Sequence, residues 1–279
     1  MVHGGIGMAI FAGSLPATRA AVVGFDAGFV TAGRAAIAGL LAALLLAAAR
    51  QHRPDRRQVM SLLVVAGGVV LGFPLLTALA LRSVPAVHTI VFVGLLPLAT
   101  SGFAVLRAGE KPRAAFWPWA IAGSLAVAGY ALFHAGGGFA LPDLLMLAAI
   151  LVCGLGYAEG SRLARQLGSW QVICWALVLS LPVSLAAVLI DWPARWTGIP
   201  IASWVGFAYV SLFSMLIGFL FWYRGLAQGG VARVSQIQLF QPFLGLMLAA
   251  ATLGERVSPD ILVVAALIGL CVWRGRRYA

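Results

Sequence analysis

Three amide side chains stand close together late in the chain: Gln236, Gln238 and Gln241. Gln238 and Gln241 are spaced i,i+3, which places them on one helix face, and Pro242 follows directly. Proline has no amide hydrogen, so a carbonyl one turn earlier loses its helical donor. Amides beside a freed carbonyl can hold a neutral polar ligand, or they can bond a neighbouring helix. Charged residues also fall inside apolar runs, Glu159 and Arg34 among them. Glu159 is the only one of eight acids to do so; Asp26, Asp55, Glu110, Asp143, Asp191, Glu255 and Asp260 lie in loops or at helix ends. Glu159 could take up a proton or bind a cationic group, or it could pair with Arg162 at i,i+3. Arg34 lies two turns into the second apolar run. It could attract a carboxylate, although such an arginine more often snorkels outward or clamps helix ends.

Further polar and aromatic side chains interrupt the apolar runs: Ser14 and Thr18, Phe73 and Thr77, His88 and Phe92, Tyr157, and Trp222 with Tyr223. Together they offer the ring faces and hydroxyls that a small amphipathic solute needs. As a histidine, His88 is a candidate gate or proton site. A lone histidine near a helix end is ordinarily solvated. Pro97, Pro242, Glu110 and Glu255 read as structural, because each stands at a helix break or just after a glycine at a helix end.

No catalytic or metal-binding pattern emerges, and no cofactor is expected. Cys153, Cys174 and Cys271 lie in apolar runs without CxxC spacing. HExxH is absent, and His3, His52, His88 and His134 all fall near the ends of apolar runs. Nothing resembles a nucleotide-binding loop. These absences argue against an enzyme and against ATP-driven transport by this chain.

The elements that position these residues follow from composition. The chain of 279 residues is 62% hydrophobic and 10% charged, with a mean hydropathy of +1.00. That leaves too little polar surface to coat a soluble domain, so the lipid bilayer is the expected surrounding. The net charge of +11 does not point to nucleic acid, because the basic residues sit in short loops between apolar runs. The first apolar run has no basic residue before it and reads as a retained helix rather than a signal peptide.

Ten apolar stretches are long enough to span, at about 4–23, 27–50, 58–81, 84–107, 114–134, 142–164, 169–190, 201–226, 230–252 and 258–274. The alternation that a β-barrel requires is absent, which leaves an all-α integral membrane bundle. With both termini in the cytoplasm, 14 of the 19 Lys and Arg residues fall on the inner side. A bacterial inner membrane suits that arrangement.

One pattern occurs twice, 145 residues apart. Leu95-Leu96-Pro97 leads through an apolar run to Gly109-Glu110-Lys111, and Phe240-Gln241-Pro242 leads to Gly254-Glu255-Arg256. Leu71-Gly72-Phe73 answers Ile217-Gly218-Phe219 with a one-residue slip. Five helices, an odd number, separate the copies, so the second enters the membrane from the opposite side. This predicts two five-helix repeats of inverted topology, over 1–137 and 138–279. Gly68-x-x-x-Gly72 and Gly156-x-x-x-Gly160 place small residues on single helix faces. They suit close packing within the bundle or in a homodimer.

These residues carry a family resemblance. Gly13-Ser14, Ala17-Thr18-Arg19 and Arg34 resemble the opening of the EamA-type repeat of the drug/metabolite transporter superfamily. Leu79-Ala80-Leu81-Arg82, Pro97 and Gly109-Glu110 resemble the rest of it. Gly218-Phe219, Trp222, Arg224-Gly225-Leu226, Pro242 and Leu253-Gly254-Glu255-Arg256 resemble its second copy. The resemblance implies a ten-helix secondary transporter that exports amino acids or related small metabolites. Phe11-Ala12 stands where family members often carry a tryptophan before the Gly-Ser pair, and Leu96 replaces a polar or aromatic residue before the proline.

Overall fold

A computed structural model describes residues 1–135, 140–254, 261–275 and 277–279. Among these residues the chain is helical throughout, with no strand. The helices are α1 (Val2–Gly24), α2 (Ala27–Ala48), α3 (Arg56–Ser83), α4 (His88–Ala108), α5 (Phe116–Ala135), α6 (Leu141–Leu167), α7 (Ser169–Ile190), α8 (Ile201–Gly229), α9 (Val231–Leu253) and α10 (Ile261–Gly275). Among the described residues, eight of them (α1–α4 and α6–α9) combine the length and hydropathy needed to cross a membrane. Helices α5 and α10 occupy the places of the fifth and tenth expected spans. Glu255 and the start of the tenth expected span lie outside the described residues.

Local chemistry sets the helix ends. The Asp26 side chain accepts the Gly28 amide at 2.8 Å and caps α2. Asp55 and Gln58 form a reciprocal capping box at the start of α3. Helices α4 and α9 end on Gly109 (φ 67°, ψ 19°) and Gly254 (φ 68°, ψ 18°). Both are left-handed, a conformation that glycine adopts without a Cβ clash.

Several helices are interrupted midway. Helix α1 is broken at Gly13. Helices α3 and α8 widen into π-helical turns over Ala66–Gly72 and Val210–Ile217. Helices α4 and α9 tighten into 3-10 turns over Val93–Leu95 and Gln236–Phe240. Pro74, Pro97 and Pro242 each fall in the first two positions after such a turn. A proline there has no amide to donate, and its ring crowds the carbonyl one turn back, so the helix must change pitch. The π-turn and 3-10 turn recur in the same order about 145 residues on, and the one-residue slip in the repeat falls at the π-turns.

Packing interlaces the early and late helices. Helix α1 runs along α8, α3 and α4 run along α6, α2 lies on α7, and α5 lies on α10. Glycine sets the closest approaches. A Cβ on Gly225 would lie 2.6 Å from the Gly4 nitrogen. One on Gly68 would overlap the Val152 carbonyl and press on Gly156. Gly68 of α3 and Gly156 of α6 therefore face each other within one chain. Near the α1–α2 and α7–α8 connections, Phe25 and Phe29 stack with Trp192, Trp196, Trp204 and Phe207. Trp192 and Trp196 remain well exposed, as residues of an interfacial belt should.

A Cβ at Gly160 would overlap the buried Tyr223 ring, whose hydroxyl is held by the Gly156 carbonyl at 3.1 Å. Gly160→Ala should therefore destabilise the fold by about 1–3 kcal/mol through overpacking. Gly5→Ala, with open space around it, should change little. Thermal melts of the purified variants in detergent check both.

Candidate functional site

The helix interruptions converge. A cavity is lined by Phe11, Ser14 and Leu15 at the α1 break, Val69, Phe73 and Pro74 at the α3 π-turn, and Ser214 and Phe219 at the α8 π-turn. Leu96 of α4 and Gln241 of α9 enter at their 3-10 breaks, and Arg34 of α2 and Tyr157 of α6 complete the wall. π-turns and broken helices leave backbone groups and side chains aimed away from the regular helical ladder, which is why such segments gather at functional sites.

The polar groups in the wall form a short chain. Arg34 Nη2 donates to Ser214 Oγ at 2.9 Å, and Ser214 Oγ lies 2.7 Å from Ser14 Oγ. Arg34 is only 5% exposed, and its Nε has no hydrogen-bond partner. Gln241 donates to the Phe11 carbonyl at 3.4 Å, and the Gln238 amide donates to Gln241 at 3.4 Å. Aromatic rings share the wall: Phe11 packs on Phe219 at 4.9 Å between centroids, and Tyr157 on Phe219 at 6.0 Å. The free volume is about 20 Å³, enough for a single water. A solute larger than water needs the helices to separate.

The sequence candidates divide between the cavity wall and other positions. Ser14, Arg34, Phe73, Tyr157 and Gln241 line the cavity. Trp222 is fully buried behind it, 5.5 Å from Tyr157 and 6.1 Å from Phe11, and Tyr223 donates to the Gly156 carbonyl. Gln238 is buried one turn from Gln241, beside Tyr157. Thr18 and Thr77 turn back on their own helices, donating to the Ser14 carbonyl at 2.7 Å and the Phe73 carbonyl at 2.8 Å. Phe92 packs with Ala80 and Met146 away from the cavity. Ser214, Phe11, Leu15, Val69 and Pro74 are wall residues that the sequence reading passed over. A serine within the apolar run Val210–Ile217 was the one available signal for Ser214.

Two of the sequence expectations are corrected. Arg34 does not snorkel outward; it is buried in the cavity wall and donates to Ser214 of α8. His88 is not simply solvated. Its Nε2 lies 2.6 Å from Oδ1 of the buried Asp143, joining α4 to the start of α6. At the other end of the same helix pair, buried Glu159 accepts from Arg107 at 3.1 Å and from Arg162. The i,i+3 partner of Glu159 was legible in the sequence; Arg107, on another helix, was not. Helices α4 and α6 are thus joined by charged contacts at both ends.

Glu110 acts at a distance in sequence. Its two carboxylate oxygens accept the Val231 and Ala232 amides at 2.6 and 2.8 Å, closing the start of α9. A carboxylate there satisfies orphan amides and sits at the positive end of the helix dipole. Pro97 and Pro242 hold the corresponding breaks in α4 and α9. Among the described residues no cluster of His, Cys, Asp and Glu suits a metal ion.

A multi-pass helical bundle with an enclosed polar and aromatic cavity at its helix breaks defines a membrane transport protein for small molecules in a lipid surrounding. The comparisons with known proteins agree. The EamA-like transporter family matches residues 4–134 and again 140–273, and the chain belongs to that family. It is 58% identical over 278 residues to the uncharacterized transporter YdeK of Bacillus subtilis (strain 168), covering 100% of this chain and 97% of that protein. It is 26% identical over 270 residues to a probable terminal-alkyne amino-acid exporter of Streptantibioticus cattleyicolor, covering 93% and 87%. A crystal structure of a protein with 19% identity shares the fold, with a TM-score of 0.76 over 98% of this chain and 94% of that one.

Removing the Glu110 cap should weaken the fold rather than alter selectivity. Glu110→Ala is expected to cost about 1–2 kcal/mol, and Glu110→Gln less. Thermal melts should show that order, with the ranking of transported solutes unchanged.

Proposed function

We propose that this protein exports amino acids or related small metabolites across a bacterial inner membrane by alternating access. The observation that carries this reading is the cavity at which the interrupted helices meet. Its hydroxyls, amide and aromatic rings together suit a small amphipathic solute. Export of amino acids draws support from the relative that is 26% identical, a probable terminal-alkyne amino-acid exporter.

Residues 1–137 and 138–279 are read as two five-helix repeats of inverted topology, with both termini cytoplasmic. The double family match and the recurrence of π-turn, 3-10 turn and left-handed glycine support the repeat. The positive charge on one side supports the orientation. Two similar halves, oppositely placed, can exchange conformations and expose one central cavity to each side in turn.

Counterflow of radiolabelled amino acids into proteoliposomes is the direct test, run with and without a pH gradient. Saturable exchange is the expected result, and no exchange with any amino acid would sink the substrate class. Glu159 is committed to Arg107 and Arg162 and is poorly placed to carry a proton. Glu159→Gln should therefore leave the pH dependence of exchange unchanged while lowering thermal stability by about 1–3 kcal/mol. A pH profile that flattens in the variant would make Glu159 a coupling residue.

A further inference from the structure

The cavity contains one charge without a counter-charge. Arg34 is buried, and among the described residues its one hydrogen-bond partner is the Ser214 hydroxyl. The acids among the described residues are engaged elsewhere or lie at helix ends. Asp26 pairs with Arg82, Asp143 with His88, and Glu159 with Arg107 and Arg162. Asp55 caps α3, Glu110 caps α9, and Asp191 ends α7 beside Gly28. A buried cation without an anion is costly in a low-dielectric interior, and most of all within a membrane bundle. A side chain used only for packing would be more stable as an apolar residue of the same volume.

The free hydrogen-bonding capacity of Arg34 has a direction. Nε has no partner, while Nη2 is fixed by Ser214, itself backed by Ser14. A planar guanidinium edge held in this way matches the two oxygens of a carboxylate. Arg34 is the only charged residue in the wall, so one negative charge balances the site. A phosphate dianion would leave a charge uncompensated. Phe11, Phe73, Tyr157 and Phe219 supply the rest of the surface and suit an apolar or aromatic body.

Building on the transporter reading above, we propose that Arg34 is the carboxylate anchor of the substrate site. The solute it selects is a small monocarboxylate with an apolar body; an apolar amino acid fits through its carboxylate, with its ammonium held by the ring faces of Phe11, Tyr157 and Phe219. The Ser214–Ser14 pair positions the guanidinium, and the carboxylate completes its hydrogen bonding as the cavity closes.

The test compares acids with their decarboxylated counterparts in the same proteoliposomes. L-leucine and L-phenylalanine are set against isoamylamine and phenethylamine. The native protein is expected to exchange the acids and to discriminate against the amines by about 100-fold or more, because an amine leaves the buried guanidinium unpaired. Arg34→Met should lose exchange of the acids yet melt at the same temperature as the native protein or higher, since it removes an unpaired buried charge. The acids should raise the melting temperature of the native protein and not that of the variant. Equal exchange of acids and amines by the native protein would overturn the anchor. So would an Arg34→Met variant that fails to fold or melts lower, because Arg34 would then be a structural clamp. Saturable exchange of cationic or uncharged solutes with none of the acids would overturn the anchor and leave the transporter reading standing. Exchange of no solute at all would remove both.

Discussion

Within hydrocarbon, each backbone amide and carbonyl must find a partner inside the protein, and this constraint orders the rest of the structure. A continuous helix meets it automatically. A broken helix does not, and here breaks occur in α1, α3, α4, α8 and α9. Side chains make up the difference. The Tyr209 hydroxyl donates to the Ile10 carbonyl at 2.8 Å, next to the α1 break. Thr77 serves the Phe73 carbonyl just after the α3 π-turn, and Gln241 reaches the Phe11 carbonyl across the cavity. Much of the polar chemistry of this apolar chain therefore maintains helices that do not run straight.

That division explains what could be read in the sequence and what could not. Span positions follow from apolar length, and the breaks follow from Pro97 and Pro242, because a proline enforces them in any surroundings. The repeat was legible because its glycines and prolines act on the backbone, independent of neighbours. Side-chain direction was not. Thr18 and Thr77 have the composition of cavity residues, yet each folds back one turn onto its own helix. Nothing local distinguishes them from Ser14, whose partner Ser214 is 200 residues away. His88 and Asp143 each look like residues of a helix end until α4 and α6 are placed side by side. Nothing local marks Phe11 and Leu15 as wall residues, because it is the break at Gly13 that brings them to the cavity.

Close packing keeps the breaks from becoming disorder. Helix α1 lies on α8 and α6 on α3 through glycine contacts in which backbones nearly touch. Each broken helix is thereby braced by a neighbour from the other part of the chain. Interfaces of this kind tend to move as rigid surfaces, because a packed contact tolerates sliding or separation better than continuous deformation. In the proposed cycle the flexible places are the π and 3-10 turns, which surround the cavity, and the glycine seams move as units.

The charges follow the same geometry. The pairs at the two ends of α4 and α6 lie where water can replace a partner: Arg107 and Arg162 are 48% and 36% exposed, and His88 is 22% exposed. The acids of these pairs, Glu159 and Asp143, are buried, so either end opens only as water reaches the carboxylate that its partner leaves. Arg34 stands between them, buried in a cavity with room for one water. It cannot be rehydrated while both ends are closed. A ligand that brings its own negative charge would remove that penalty at the moment of closure, whereas an empty site would retain it. The position of one unpaired arginine thus favours closing around a bound anion over closing empty, and transport without leakage needs that bias.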